Sequence, residues 1–236
     1  EIMRMENWPL TIDNFHNKIF SIHKYEKLCI ESWWMMNRTE KLKSIFKDGN
    51  EIAKTCDVKQ MGFSNDEIAR LCNEGILTRI KHGYYSLGDR LISDEQVIST
   101  LLPDVILCLE TALFYHGYSD YAPRTWNIAV PRTFSRTKLK FDSLFIKTKF
   151  VQTDLFELGK TKMQINGFEL NVYDKERTIC DCFKYKNQID REIFNKAVNA
   201  YIADDKKNLA NLSNYSKQMR VYKKVAEIME VLLNGW

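Results

Sequence analysis

Asn65, Arg70 and Asn73 lie within one short stretch, followed closely by Arg79, Lys81, His82 and Tyr84. Amide and guanidinium groups hydrogen-bond the edges of bases, while lysine and arginine neutralise phosphates. Residue types in this order point to contact with double-stranded DNA, the first set facing bases and the second the backbone. Further basic residues gather at Arg132, Arg136, Lys138 and Lys140, and again at Lys206, Lys207, Lys217, Arg220, Lys223 and Lys224. Of these, Arg132, Arg136, Lys138, Lys217, Arg220 and Lys223 are candidates for additional DNA contacts. For the C-terminal group, simple solvation of an exposed helix face is an equal alternative.

Two other clusters invite a catalytic reading. His116 stands beside Tyr115 and downstream of Glu110, but a lone histidine at a helix end before glycine is expected to cap carbonyls. Glu176, Arg177 and Asp181 form the second. There Asp174 reads as a helix N-cap, Glu176 as a first-turn acid favoured by the helix dipole, and Arg177 with Asp181 as an i,i+4 pair. The chain has no GxxxxGK[ST] phosphate loop, GxSxG nucleophile elbow or HExxH zinc helix. Its only close cysteine pair, Cys180 and Cys182, is one residue apart, and His16, His23, His82 and His116 are scattered, so no tetrahedral metal site is expected. Cys72 and Cys108 read as reduced core thiols. No catalytic residue, metal or cofactor is assigned.

These residues need elements to hold them. From Thr39, Leu42, Ile45 and Phe46 recur at helical spacing, with Gly49 placed to end the helix. A second helix is expected over 51–59. Ser64 is placed to cap a third, with Glu67 completing a capping box and Gly75 stopping it. Ile68, Leu71 and Cys72 form its buried stripe, which turns Asn65, Asp66, Arg70 and Asn73 outward. Strands over 76–80 and 84–87 flank Lys81-His82-Gly83 as a hairpin. Three helices and a hairpin make a winged helix-turn-helix, whose third helix enters the major groove while the wing lies along phosphates. Such a unit also serves as a protein-docking module. Asp66 and Glu67 count toward that alternative unless they act in capping.

The period then changes. A helix is expected over 94–101, ended by Pro103, and an apolar stretch from Val105 turns helical over 110–116. Strands are expected over 125–130, 144–149, 162–165 and 168–172, the last two joined by Asn166-Gly167, a strong hairpin signal. Helices return over 175–183, 191–202, 209–215 and 221–233. Tyr115, Tyr118, Tyr121 and Trp126 belong either to a recognition surface or to core and turn packing. Residues 1–37 carry Trp8, Phe15, Phe20, Trp33 and Trp34 without a sustained period. They read either as an N-terminal arm with a helix near 15–30, or as sequence upstream of a start at Met35 or Met36.

The expected fold class is thus α+β. A winged helix-turn-helix occupies 38–90 and a mixed α/β domain with an antiparallel sheet and C-terminal helices occupies 91–236, preceded by the extension of 1–37. The segment GFSNDEIARLCNEGILTRIKHGYYSLGD resembles the N-terminal domain of antitoxins from AbiE-type abortive-infection systems, of the type IV toxin-antitoxin class. LETALFYHGYSD, WNIAVPR and VYDKERTICD continue the resemblance, which covers about 39–233. It implies a repressor that binds its own operon and counteracts a separately encoded nucleotidyltransferase-like toxin. Such a toxin needs a Gly-Ser turn followed by paired carboxylates holding magnesium, and no Gly-Ser occurs in this chain. A winged-helix regulator without a toxin partner is the main alternative, and an unrecognised enzyme a more distant one.

The net charge of +4 is too mild to identify a nucleic-acid partner by itself. No apolar run reaches the roughly 18 to 20 residues that span a bilayer, and residues 1–10 lack a secretory pattern. With dispersed cysteines, these features lead to the expectation of a cytoplasmic protein without a membrane partner.

Overall fold

In the computed structural model, residues 40–46, 51–88 and 90–234 are described. The expectations for 1–37 and for the helix stop at Gly49 lie outside them. The described residues divide into two compact units, one comprising those through Thr78 with 83–88, the other Arg79–His82 with 90–234.

In the first unit, residues 40–45 are helical (α1) and bury Leu42, with Phe46 buried beyond them. Ala53–Lys54 (β1) precedes Thr55–Gln60 (α2) and Asn65–Asn73 (α3). Leu77–Lys81 (β2, whose residues from Arg79 onward group with the second unit) and Tyr84–Leu87 (β3) follow, and the sheet order is β1-β3-β2. The second helix starts later than its composition suggests. Ala53 and Lys54 pair with Tyr85 and Tyr84, so their backbone is committed to a sheet before α2 begins. At α3, Ser64 Oγ accepts from Glu67 N–H at 3.2 Å while the Glu67 carboxylate accepts from Ser64 N–H at 2.8 Å, a reciprocal cap that satisfies two otherwise orphaned donors. Gly75 closes the helix at φ +73°, and a Cβ on Gly88 would stand 1.8 Å from the Gly75 carbonyl oxygen. Only glycine permits that approach. The core of this unit joins Leu42, Phe46, Val58, Phe63, Ile68, Leu77 and Leu87.

The second unit holds Asp94–Leu101 (α4), Ile106–Leu107 (β4), Leu109–Tyr115 (α5), Trp126–Pro131 (β5) and Ile146–Val151 (β6). Thr153–Phe156 (α6), Lys160–Ile165 (β7) and Phe168–Tyr173 (β8) follow, and four helices complete it: Lys175–Lys184 (α7), Arg191–Ala203 (α8), Leu209–Gln218 (α9) and Tyr222–Asn234 (α10). Its sheet runs β6-β5-β4-β8-β7. The chain is α+β with mixed sheets, and here the antiparallel expectation needs correction. β4 is antiparallel to β5 and β7 to β8, but β5/β6 and β4/β8 are parallel. Residues 132–145 are long enough to carry the chain back to the start of β5, the crossover that a parallel pair requires. Asn166 and Gly167 turn β7 into β8 with φ of 49° and 88°. Both positive angles suit a tight hairpin.

One face of this sheet packs under α5 and α7, with Ile106, Cys108, Leu113, Ala129, Tyr173, Ile179, Phe183 and Val198 in a continuous core. Arg177 lies within it, wholly buried. Its guanidinium stacks on Tyr173, pairs with Asp181 at 3.4 Å and donates to the carbonyls of Leu155 and Leu158 at 2.7 and 3.1 Å. Asp174 caps α7 by accepting from Arg177 N–H at 2.7 Å. Glu176 does more than favour the helix dipole: it is buried and accepts from Tyr201 Oη at 3.3 Å and Asn208 N–H at 2.8 Å, tying α7 to α8 and to the start of α9. His116 is the C-cap of α5, its backbone N–H donating to the Ala112 carbonyl at 2.9 Å, while its side chain reaches outside the helix. Its Nε2 donates to the Tyr173 carbonyl at 2.7 Å, and burial lowers its pKa. Cys108, Cys180 and Cys182 are buried, and burial raises their thiol pKa values, whereas Cys72 is partly exposed. Tyr118 and Trp126 pack inside, while Tyr121 remains exposed. Among the described residues no helix is long and apolar enough to cross a membrane.

Candidate nucleic-acid interface

α3 presents Asp66, Ala69, Arg70 and Asn73 to solvent. At about 100° per residue, Asp66, Arg70 and Asn73 fall within one arc, whereas Asn65 lies about 140° from Arg70. The helix therefore unites Arg70 with Asn73 and places Asn65 on a separate flank. Arg70 keeps 57% of its side chain exposed and makes an i,i+4 pair with Glu74 at 3.7 Å. Such an exposed pair contributes roughly 0.3–0.5 kcal/mol, little enough for a phosphate or guanine to displace the glutamate. Glu67 is engaged in the cap of α3, which leaves Asp66 and the Arg70 partner Glu74 as the acids on the Arg70 face.

The hairpin cations are not free. Arg79–His82 group with the second unit. Arg79 pairs with Asp142 at 3.5 Å and donates to His82 Nδ1 at 3.2 Å. Lys81 is partly buried, with its Nζ donating to the Lys138 carbonyl and standing 4.6 Å from the centre of the Phe141 ring. Burial first, and the neighbouring Lys138 second, lower the Lys81 pKa. Arg79, Lys81 and Lys138 thus converge, although 57 residues separate the last two in the chain. Tyr84 lies half-buried opposite Lys54, so its backbone serves the sheet.

Arg132 and Arg136 are exposed, Arg132 bonding through its backbone N–H to the Val151 carbonyl and Arg136 lying 5.0 Å from the Phe150 ring centre. Lys138 stands 5.6 Å from the Phe134 ring. Lys217 and Arg220 close the turn after α9, with Arg220 at φ +61° and its N–H donating to the Lys217 carbonyl at 3.1 Å. Lys223 is exposed at the start of α10. Sequence reasoning passed over Lys147 and Lys149, on β6, and Lys184, in the last turn of α7. The alternation Lys147-Thr148-Lys149 was the signal available for them. Among the described residues no cluster of three or more His, Cys, Asp or Glu side chains is disposed to hold a metal ion.

No family model matches the chain, and no curated protein matches its sequence. Its fold is similar to that of the RV2827C protein from Mycobacterium tuberculosis, with a TM-score of 0.57 and 16% identity over 74% of this chain and 69% of that one. At that identity the likeness concerns fold alone.

Proposed function

We propose that this chain is a DNA-binding transcriptional regulator, the antitoxin of an AbiE-like type IV toxin-antitoxin pair. It represses its own operon and counteracts a nucleotidyltransferase-like toxin. Residues 38–90 serve as a winged helix-turn-helix, in which α3 enters the major groove and β2–β3 is the wing. The observation that carries this reading is the pairing of Arg70 with Asn73 on the exposed face of an end-capped helix. Arginine reads guanine and asparagine reads adenine there, while exposed cations of the second unit add phosphate contacts. No cofactor enters, and no residue is assigned a catalytic role.

The test is binding of the purified chain to its own upstream duplex against a scrambled duplex across a salt series. Preference for the upstream sequence, reduced by Arg70→Ala/Asn73→Ala, supports the reading. Each neutralised phosphate adds about 0.9 to the slope of log affinity against log salt. Equal affinity for both duplexes, unchanged by the substitutions, overturns it. For the antitoxin role, co-expression with the adjacent toxin must restore growth.

A further inference from the structure

The second unit's sheet ends in two lysine-bearing strands whose lysines have opposite surroundings. On β7, Lys160 meets Glu157 at 3.0 Å and Lys162 meets Glu169 at 2.6 Å. On β6, neither Lys147 nor Lys149 has an ion-pair partner among the described residues, and Lys149 Nζ instead bonds Gln188 Oε1 and stands 4.7 Å from the Tyr185 ring centre. Lysine on an edge strand deters association with another strand whether or not an acid sits beside it. Edge protection therefore does not explain why Lys147 and Lys149 make no ion pair among the described residues, with Glu110 and Asp181 acting on Lys149 only at longer range.

By the two-residue period of a strand, Phe145, Lys147 and Lys149 share one face at steps of about 6.5 Å. Phe145, immediately before β6, is 73% exposed. Lys184, in the last turn of α7, approaches the same Tyr185 ring as Lys149, at 5.7 Å. The edge thus carries an exposed ring, two lysines in line with it and a third cation alongside. Burial is the main cause that lowers the Lys149 and Lys184 pKa values; at Lys149 it is joined by Lys147 and opposed by Cys108, Glu110 and Asp181, and at Lys184 Arg177 and Arg132 add to it against Asp181 and Asp154.

We propose that the β6 edge binds single-stranded nucleic acid through Phe145, Lys147, Lys149 and Lys184. One base stacks on Phe145 while successive phosphates lie against the lysines, whose spacing suits an extended strand. A duplex keeps its bases stacked on one another and cannot use the ring. This site is separate from the operator-binding reading and does not rest on it.

The test is fluorescence anisotropy of the full chain with labelled oligo(dT) and oligo(U) of about 12 nucleotides, a length within the usual range for one such platform, across a salt series with unlabelled duplex as competitor. Wild type binds the single strand in preference to the duplex. Lys147→Glu/Lys184→Glu weakens it by at least about tenfold, and Lys147→Ala/Lys184→Ala falls between. Phe145→Ala weakens it about five- to tenfold without changing the salt slope, and Phe145→Trp restores it. Lys162→Glu on β7 leaves it unchanged, and circular dichroism verifies that each variant folds. Absence of single-strand binding, binding indifferent to the Lys147/Lys184 changes, or duplex competition equal in wild type and Phe145→Ala overturns the proposal.

Discussion

β6 and β7 close opposite ends of one sheet, and they are secured by different means. The approach to β7 is held from inside, where the buried Arg177 guanidinium takes the carbonyls of Leu155 and Leu158, and its outward lysines are matched by Glu157 and Glu169. β6 is tied at the surface by Lys149 and Gln188, and Lys147 has no ion-pair partner among the described residues. On β7, charge is spent within the protein on holding the strand; on β6, it stays available to something outside. A matched lysine on an edge describes architecture, and an unmatched one beside an exposed ring describes a surface open to a ligand.

The largest effect that can break this comparison is at Arg177. Arg177→Met leaves Asp181 and two carbonyls buried without their partner, and should destabilise the protein by about 3–5 kcal/mol in urea unfolding. Lys149→Met on the β6 side should cost under about 1 kcal/mol; equal losses at the two positions would erase the distinction. Gly159→Ala comes next. Gly159 precedes β7 at φ +73°, and an added Cβ would stand 2.6 Å from Arg177 Cβ, so a loss of about 1–3 kcal/mol is expected in the same assay.

A smaller effect sharpens the β7 side through pH. His116 donates to the carbonyl at the end of β8, the partner of β7, and burial sets its pKa below the ordinary 6.5. In the window below pH 6.5 the unfolded chain takes up a proton that the folded one resists, so this stability is present above 6.5 and is lost as pH falls toward the folded pKa. Asp174 and Asp181, with carboxyls raised by burial, act in the opposite sense at lower pH. Subtracting the curve of His116→Gln from that of wild type between pH 5 and 7 isolates the histidine, and identical slopes would remove its contribution. The smallest expected effect is at Glu169→Gln, which frees Lys162 at under about 1 kcal/mol in stability. It should give β7 a weak, salt-sensitive gain in oligonucleotide binding by anisotropy, still well below that of β6 because β7 has no counterpart to Phe145.

Much of the local structure was legible because its causes are local. Ser64 with Glu67 marked the start of α3, and Asn166-Gly167 marked the β7–β8 turn, since capping and positive φ depend on residues a few positions apart. β1 was not legible: two residues join a sheet only because Tyr84 and Tyr85 return beside them. The direction of β6 was hidden for the same reason, as side-chain alternation is blind to whether a neighbour runs parallel or antiparallel. The candidate site divides likewise. Arg70 and Asn73 follow from helical periodicity, but the engagement of Arg79 and Lys81 depends on Asp142 and Lys138, distant in the chain. The isolation of Lys147 is a statement about which acids are elsewhere, and only the folded arrangement makes it.

β4 lies at the centre of the sheet with neighbours of very different origin. β5 follows it after one helix, whereas β8 arrives only after β6, α6 and β7. As the chain emerges in order, β4, β5 and β6 can assemble while the far side of β4 still exposes unpaired backbone groups. The Leu107–Val172 pairing must close a long loop before α7 has a complete sheet to cover. Assembly of this unit is therefore paced by its last strand, and the interval before β8 docks is when a nascent chain is most open to pairing with the wrong strand.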